Sequence, residues 1–173
     1  DEESYYNGFA NEGLWPLCHL AHVRPVFRTS DWQRYREINE RFALAIIEEA
    51  KTDNPVVLVQ DFHLALVPKM VRDLLPNATI IMFWHIPWPN AEAFRICPWK
   101  EEILDGLLGN DLLAFHLQYH CNNFLDTVDR GVPRQTRRQA LGPSAPDHAG
   151  RQRLWLRGDP RPWLHDRQSH RRR

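Results

Sequence analysis

The chain has 173 residues, 43% of them hydrophobic, with 22 basic and 22 acidic side chains and a formal net charge of zero. About 130 residues of it suffice for one domain with its own core, and the zero charge conceals two halves of opposite sign. No apolar run is long enough to cross a bilayer. Three widely spaced cysteines, Cys18, Cys97 and Cys121, read as reduced thiols of a cytoplasmic protein rather than as a disulfide framework.

In chain order, Tyr5, Tyr6, Asn7 and Trp15 come first, followed by Cys18, His19 and His22. Ser30 and Gln33 stand at capping-box spacing ahead of a long amphipathic helix that carries Trp32, Tyr35, Ile38, Phe42, Ile46 and Ile47 on or near one face. The runs from Val56 to Gln60 and from Thr79 to Trp84 are short, rich in β-branched and aromatic residues, and without polar alternation. Such runs predict strands buried on both faces of a parallel sheet. Between them Leu64, Val67, Val71, Leu74 and Leu75 repeat at helical spacing, and Pro68 fits only the first turn of that helix. This is a βαβ unit, so both strands point the same way. Lys100 to Leu108 is helical in period, Gly109 and Asn110 form a stop, and Asp111 to Phe115 predicts a third strand ending at His116. Gln118 to Val128 is helical again. The order α, β, α, β, α, β, α predicts an α/β layered, Rossmann-like domain with a mostly parallel sheet.

That topology places the candidate chemistry. Asp61 and His63 follow the first strand and His85 follows the second, so all three lie at the edge where open α/β sheets bind ligands. Aromatic residues surround them in sequence, namely Tyr5, Tyr6, Trp15, Trp84 and Trp88. Sugar sites combine such parts, since aromatic faces cover C–H surface while carboxylates and imidazoles bind hydroxyls. For Trp84 and Trp32 the core is the preferred location. The proline-flanked turns IPWP and ICPW suit a rigid site wall.

Other chemistries find little support. Cys18, His19 and His22, and also His116, His120 and Cys121, lie close in sequence but match no standard zinc spacing, so no metal is assigned. There is no G-x-S-x-G elbow, no G-x-G-x-x-G and no Walker loop, so neither a covalent nucleophile nor a glycine-rich phosphate cradle is expected.

Composition divides the chain near Arg130. Residues 1–130 hold 11 basic and 19 acidic side chains, whereas 131–173 hold 11 basic and 3 acidic, and the latter contain no Lys, Glu, Asn, Ile, Phe, Tyr, Met or Cys. Residues 1–130 therefore read as the domain and 131–173 as an Arg- and Pro-rich tail, disordered and resembling an out-of-frame translation of a GC-rich gene. A nucleic-acid-binding tail is the alternative. It is disfavoured by the lack of lysines and of an aromatic platform beyond Trp155 and Trp163. The chain also opens at Asp1 without an initiating Met and without a basic and apolar signal sequence, which reads as an internal fragment.

Three long motifs carry a family resemblance: YYNGFANEGLWPLCH at Tyr5 to His19, VQDFHLALVPKMVR at Val59 to Arg72, and FWHIPWPNAEAFRICPWKEEILDGLLGNDLLAFH at Phe83 to His116. In order and without large gaps, they resemble the trehalose-6-phosphate synthase family, retaining glycosyltransferases of the two-Rossmann-domain GT-B type. The resemblance runs from Tyr5 to about Arg130. It implies transfer of glucose from a nucleotide sugar, usually UDP-glucose, to glucose 6-phosphate, with no required metal or cofactor. Tyr6 and Trp15 would contact the acceptor and Asp61 its hydroxyls, while His85 would be the catalytic histidine facing the donor glucose. The leaving diphosphate would be stabilised by basic side chains and backbone donors.

The family's glycine-rich loop should precede Tyr5, and its C-terminal Rossmann domain should follow Arg130. Neither is matched here. The chain thus reads as part of the acceptor-side domain, inactive alone and possible in a homo-oligomer. Two other readings remain open: a glucosylglycerol-phosphate synthase, and a noncatalytic module docking on a full-length synthase or on nucleic acid.

Overall fold

The computed structural model describes residues 3–132 and 153–156. A wide, kinked helical segment, Glu3–Leu14, breaks at Gly8 and leads into a short helix α1 (Trp15–His19). The long helix α2 (Thr29–Glu49) follows. Three strand and helix pairs come next: β1 (Val56–Gln60) with α3 (Val67–Leu74), β2 (Thr79–Phe83) with the short α4 (Ala91–Phe94) and α5 (Lys100–Leu108), and β3 (Leu112–Phe115) with α6 (Gln118–Gly131). A fourth strand, β4 (Arg153–Leu156), closes the set. All pairings are parallel, in the order β1-β2-β3-β4. This is the α/β, parallel-sheet architecture expected from the element order.

Several details differ from the sequence reading. β1 alternates rather than being buried on both faces: Val57 and Val59 point into the core, whereas Val56 and Leu58 are 73% and 66% exposed. As the end strand of the sheet, β1 has helices packed against one face only. The register Val57↔Ile80, Val59↔Met82 and Met82↔Leu113 forms the covered face. Gln60, Phe83 and Ala114 line up on the other.

α2 begins at Thr29 with Arg28 as its N-cap and no side-chain cap bond, so the Ser30–Gln33 capping box does not form. Ser30 Oγ instead reaches Asp31 Oδ1 at 3.4 Å. The inward stripe of α2 is Trp32, Tyr35, Asn39 and Ala43, with Ile46 partly buried, while Phe42 is 48% exposed. A polar residue takes the buried place expected for Ile38. The reason lies in the loop below, which needs Asn39 as a hydrogen-bonding partner.

Pro68 falls in the first turn of α3, as its missing N–H requires. Before it comes a 3₁₀ turn, Phe62–Leu64, so the helix proper starts later than Leu64. α5 lies close against this region: a Cβ on Gly106 would collide with Ala65 O, and one on Gly109 with the Lys69 backbone. At the N-terminal edge of the sheet, Arg72 donates to Asp111 Oδ2 and to the carbonyls of Gly109, Pro76 and Ala78. Asp111 also accepts from the Ile80 amide at 2.8 Å. These bonds join α3 to the entries of β2 and β3.

The core runs from Phe9 to Val132 and includes Trp32, Tyr35, Ile80, Met82, Trp84, Trp88, Phe115 and Phe124. Cys18, Cys97 and Cys121 are free and buried. Burial raises the Cys18 thiol well above its ordinary value and pushes Cys97 up to about 12 and Cys121 up to about 11, so all three stay protonated at neutral pH. Among the described residues no helix is long and apolar enough to cross a membrane. Helix α6 reaches Gly131, one residue past the compositional break. Of the tail beyond Val132, Arg153–Leu156 lies in register with β3 (Leu112↔Arg153 to Phe115↔Leu156). The expectation of disorder for the rest of the tail concerns positions outside the described residues.

Candidate active site

The parallel strands end together. Gln60 pairs with Phe83, and Asp61, the first residue after β1, meets His85, the second residue after β2, beyond the sheet. Asp61 Oδ1 accepts two backbone N–H groups, from Phe62 at 2.8 Å and from His85 at 3.1 Å. Asp61 adopts φ 67° and ψ 170°, a region that glycine favours and other residues enter at a cost of about 1–3 kcal/mol. Its Oδ2 accepts no hydrogen bond from the described residues and lies 4.0 Å from His63 Nδ1.

His63 is held tightly. Its carbonyl accepts from the Tyr5 hydroxyl at 2.9 Å and from Asn39 Nδ2 at 3.0 Å. Its ring stacks under Tyr6, with centroids 4.5 Å apart and planes at 22°, and contacts Phe62 at 4.0 Å. Nε2 is buried and has no partner. Burial lowers the His63 pKa, against an opposing pull from Asp61. A second proton would create an N–H donor with no acceptor in a dry place, so the ring is held neutral.

α2 supports this loop from beneath. The Tyr35 hydroxyl donates to Phe62 O and accepts from Ala65 N at 3.1 Å, while Asn39 donates to Tyr35 O and His63 O and accepts from Leu66 N. Burial raises the Tyr35 hydroxyl well above its ordinary value, and burial with Tyr6 nearby pushes Tyr5 up to about 12, so both remain donors. The buried backbone groups of Phe62, His63, Ala65 and Leu66 are thereby paired, whereas His63 Nε2 is not.

The exposed aromatics stand on the first two helical segments. Tyr6 is 49% exposed above His63, and Trp15 is 41% exposed, stacked on His19 at 4.0 Å. Burial, with smaller contributions from Cys97 and the Asp61 carboxylate, raises the Cys18 thiol on α1. Tyr6 and Asp61 are joined through His63, and Trp15 opens α1, which continues directly from the segment carrying Tyr6.

On the open face of the sheet stands a second group. His85 Nε2 lies 2.8 Å from Gln60 Oε1, and the His85 ring packs on Phe83 at 4.7 Å and edge-on to His116 at 5.9 Å. Gln60 and His116 were not singled out as site residues by sequence. Strand alternation was the available signal, because Gln60, His85 and His116 share the parity of the uncovered face.

Trp84 and Trp88 belong elsewhere. Both are fully buried, and Trp88 Nε1 donates to Thr127 Oγ1 at 3.0 Å, so Trp88 is core rather than part of an aromatic site wall. The two suspected metal clusters disperse: His120 Nδ1 pairs with the Trp88 backbone, and Cys121 is buried in the core. Among the described residues no three His, Cys, Asp or Glu side chains converge in a way that could hold a metal ion.

What this arrangement offers is a carboxylate oxygen, a phenol and an imidazole at the mouth of parallel strands, with an exposed indole on α1. The family model for glycosyltransferase family 20 matches residues 1–147. The chain belongs to that family. It is 46% identical over 142 residues to the trehalose-6-phosphate synthases of Mycobacterium sp. (strain KMS) and of Mycolicibacterium smegmatis, matching 82% of this chain. It spans less than a third of the length of these curated relatives, 29% and 28% respectively.

Among solved structures, it is similar to the E. coli protein bound with UDP-2-fluoro glucose, with a TM-score of 0.68 and 30% identity, covering 74% of this chain and 28% of that one. A Burkholderia xenovorans α,α-trehalose-phosphate synthase (UDP-forming) in complex with glucose-6-phosphate gives a TM-score of 0.68 at 26% identity, covering 75% and 29%. The sheet and its helices are thus part of a GT-B glycosyltransferase architecture.

Proposed function

We propose that this chain is the acceptor-side portion of a retaining glucosyltransferase that transfers glucose from UDP-glucose to glucose 6-phosphate, forming trehalose 6-phosphate. The observation that carries this reading is the Asp61 carboxylate. One oxygen is consumed by the Phe62 and His85 amides, and the other is left for a ligand. A fixed carboxylate oxygen beside exposed Tyr6 suits a sugar hydroxyl, which needs a strong acceptor and an apolar ring face.

In this reading Tyr6, Trp15 and Asp61 bind the acceptor and His85 faces the donor glucose. Residues 1–130 act as the acceptor-side domain, and residues 131–173 contribute no donor site. The names of the relatives support the substrates: one similar structure holds a UDP-glucose analogue and another glucose-6-phosphate. No enzyme nucleophile is required, consistent with the cysteines being buried and protonated.

The test is calorimetric titration of the purified chain with glucose 6-phosphate, glucose and glycerol 3-phosphate. Binding of glucose 6-phosphate that is lost in Asp61→Ala supports the assignment. Preference for glycerol 3-phosphate would favour a glucosylglycerol-phosphate synthase. No binding to any of them would leave the noncatalytic module as the better account. The chain alone is expected to release no UDP from UDP-glucose, because it spans only the smaller part of its relatives.

A further inference from the structure

We propose that Gln60 is a positioning residue that fixes the tautomer of His85, placing the ring proton on Nε2 and presenting Nδ1 as a hydrogen-bond acceptor toward the ligand. This deepens the reading of His85 as a donor-side residue and rests on it.

The argument starts from what an amide oxygen can do. Gln60 Oε1 lies 2.8 Å from His85 Nε2, and a carbonyl oxygen has no proton to give. The imidazole nitrogen facing it must carry the proton. In a neutral ring the other nitrogen is then bare, and His85 Nδ1 has no partner among the described residues.

The rest of His85 is equally constrained. Its backbone N–H is held by Asp61 Oδ1 at 3.1 Å, so the last residue of β1 grips the ring and the next residue grips the main chain. Phe83 and His116 flank the ring and limit its rotation. A ring fixed in this way cannot swap its two nitrogens without losing the Gln60 bond.

The consequence is chemical selectivity. A bare imidazole nitrogen accepts from a hydroxyl and repels an anionic oxygen, which also has only lone pairs to offer. The group that meets His85 should therefore be a sugar hydroxyl and not a phosphate oxygen. A neighbouring carboxylate would have served differently, favouring a doubly protonated ring that attracts phosphate.

Long-range proton–nitrogen correlation spectra of the isotope-labelled chain read this directly, since the two ring nitrogens of a neutral histidine differ in shift according to which carries the proton. The His85→Gln chain assigns the signal. At about pH 8, His85 should appear as the Nε2–H form. Gln60→Leu should move it toward the mixed tautomers of a free imidazole. Gln60→Glu should keep the Nε2–H form, because a carboxylate oxygen also accepts from that nitrogen. A wild-type His85 in the Nδ1–H form, or a Gln60→Leu spectrum identical to wild type, overturns the proposal. Glucose 6-phosphate titrated into the same samples reports separately on Tyr6, Trp15 and Asp61. Loss of that binding with an intact Nε2–H signal would sink the acceptor reading and leave the tautomer assignment standing.

Discussion

Asp61 Oδ1 accepts the backbone amide of His85 at 3.1 Å, tying the ends of two neighbouring parallel strands to each other. The carboxylate thus has a structural oxygen and a free one, and these can be separated experimentally. Asp61→Asn keeps an acceptor for the Phe62 and His85 amides and, being nearly isosteric, adds no new backbone strain to that already present. It should leave the urea midpoint nearly unchanged while weakening glucose 6-phosphate binding by about 1.5–3 kcal/mol, the range for hydrogen bonds to charged groups. Equal losses in stability and affinity would show that both oxygens are structural.

Tyr35 and Asn39 hold the loop that carries Asp61 and His63. Tyr35→Phe removes the partner of the buried Ala65 amide, and Asn39→Leu removes that of the Leu66 amide. Each should cost about 1–3 kcal/mol of stability, because an orphaned buried donor loses its full desolvation penalty. Equilibrium urea unfolding measures it. A loss below about 0.5 kcal/mol in both would mean that water replaces these side chains.

The two classes of tryptophan should respond oppositely. Trp88→Ala empties a fully buried site between Phe94, Phe115 and Phe124 and should cost about 3–5 kcal/mol. Trp15→Ala touches an exposed ring and should leave thermal unfolding within a few degrees of wild type while reducing acceptor binding. Scanning calorimetry and titration distinguish the two.

His63 gives the chain a defined pH dependence. Its folded pKa is lowered below the ordinary histidine value, chiefly by burial. The unfolded chain therefore binds the proton more readily, and this contribution, fully present above about pH 6.5, is lost as pH falls toward the depressed folded value. His63→Gln should flatten the fall in urea midpoint between about pH 7 and about pH 5.5. Asp105 acts in the opposite sense at lower pH, since burial raises its carboxyl. An unchanged pH profile in His63→Gln would show that the ring is not excluded from solvent as described.

Joined to the remaining length of its relatives, the enzyme should separate the two sides of the site kinetically. His85→Ala should chiefly lower kcat, because contact to the donor sugar strengthens as the glycosidic bond breaks. Tyr6→Phe and Trp15→Ala should chiefly raise the acceptor KM. Steady-state kinetics with both substrates varied decides this, and an unchanged kcat in His85→Ala would remove His85 from the catalytic step.

Much of this protein was legible in the residue order. Apolar runs at Val56–Gln60 and Thr79–Trp84, with a helix-length connection between them, required parallel strands, and parallel strands required Asp61 and His85 to lie at one edge; the second strand itself ends one residue earlier, at Phe83. The placement of Pro68 in a first helical turn followed from its missing N–H alone. These outcomes depend on chain geometry and local chemistry, which any window of sequence contains.

Tertiary structure decided what depends on neighbours. Nothing in the pattern of α2 shows that Asn39 rather than Ile38 is buried, because the demand comes from unpaired backbone groups of a loop 24 to 27 residues away. Trp88 and Trp15 look alike in sequence, yet one is enclosed by three phenylalanines and the other is open, and only packing separates them. The bare side of β1 and the pairing of Gln60 with His85 have the same origin. Burial and hydrogen-bond direction are properties of what lies opposite a residue, and in a parallel sheet that partner is set by register across the crossover.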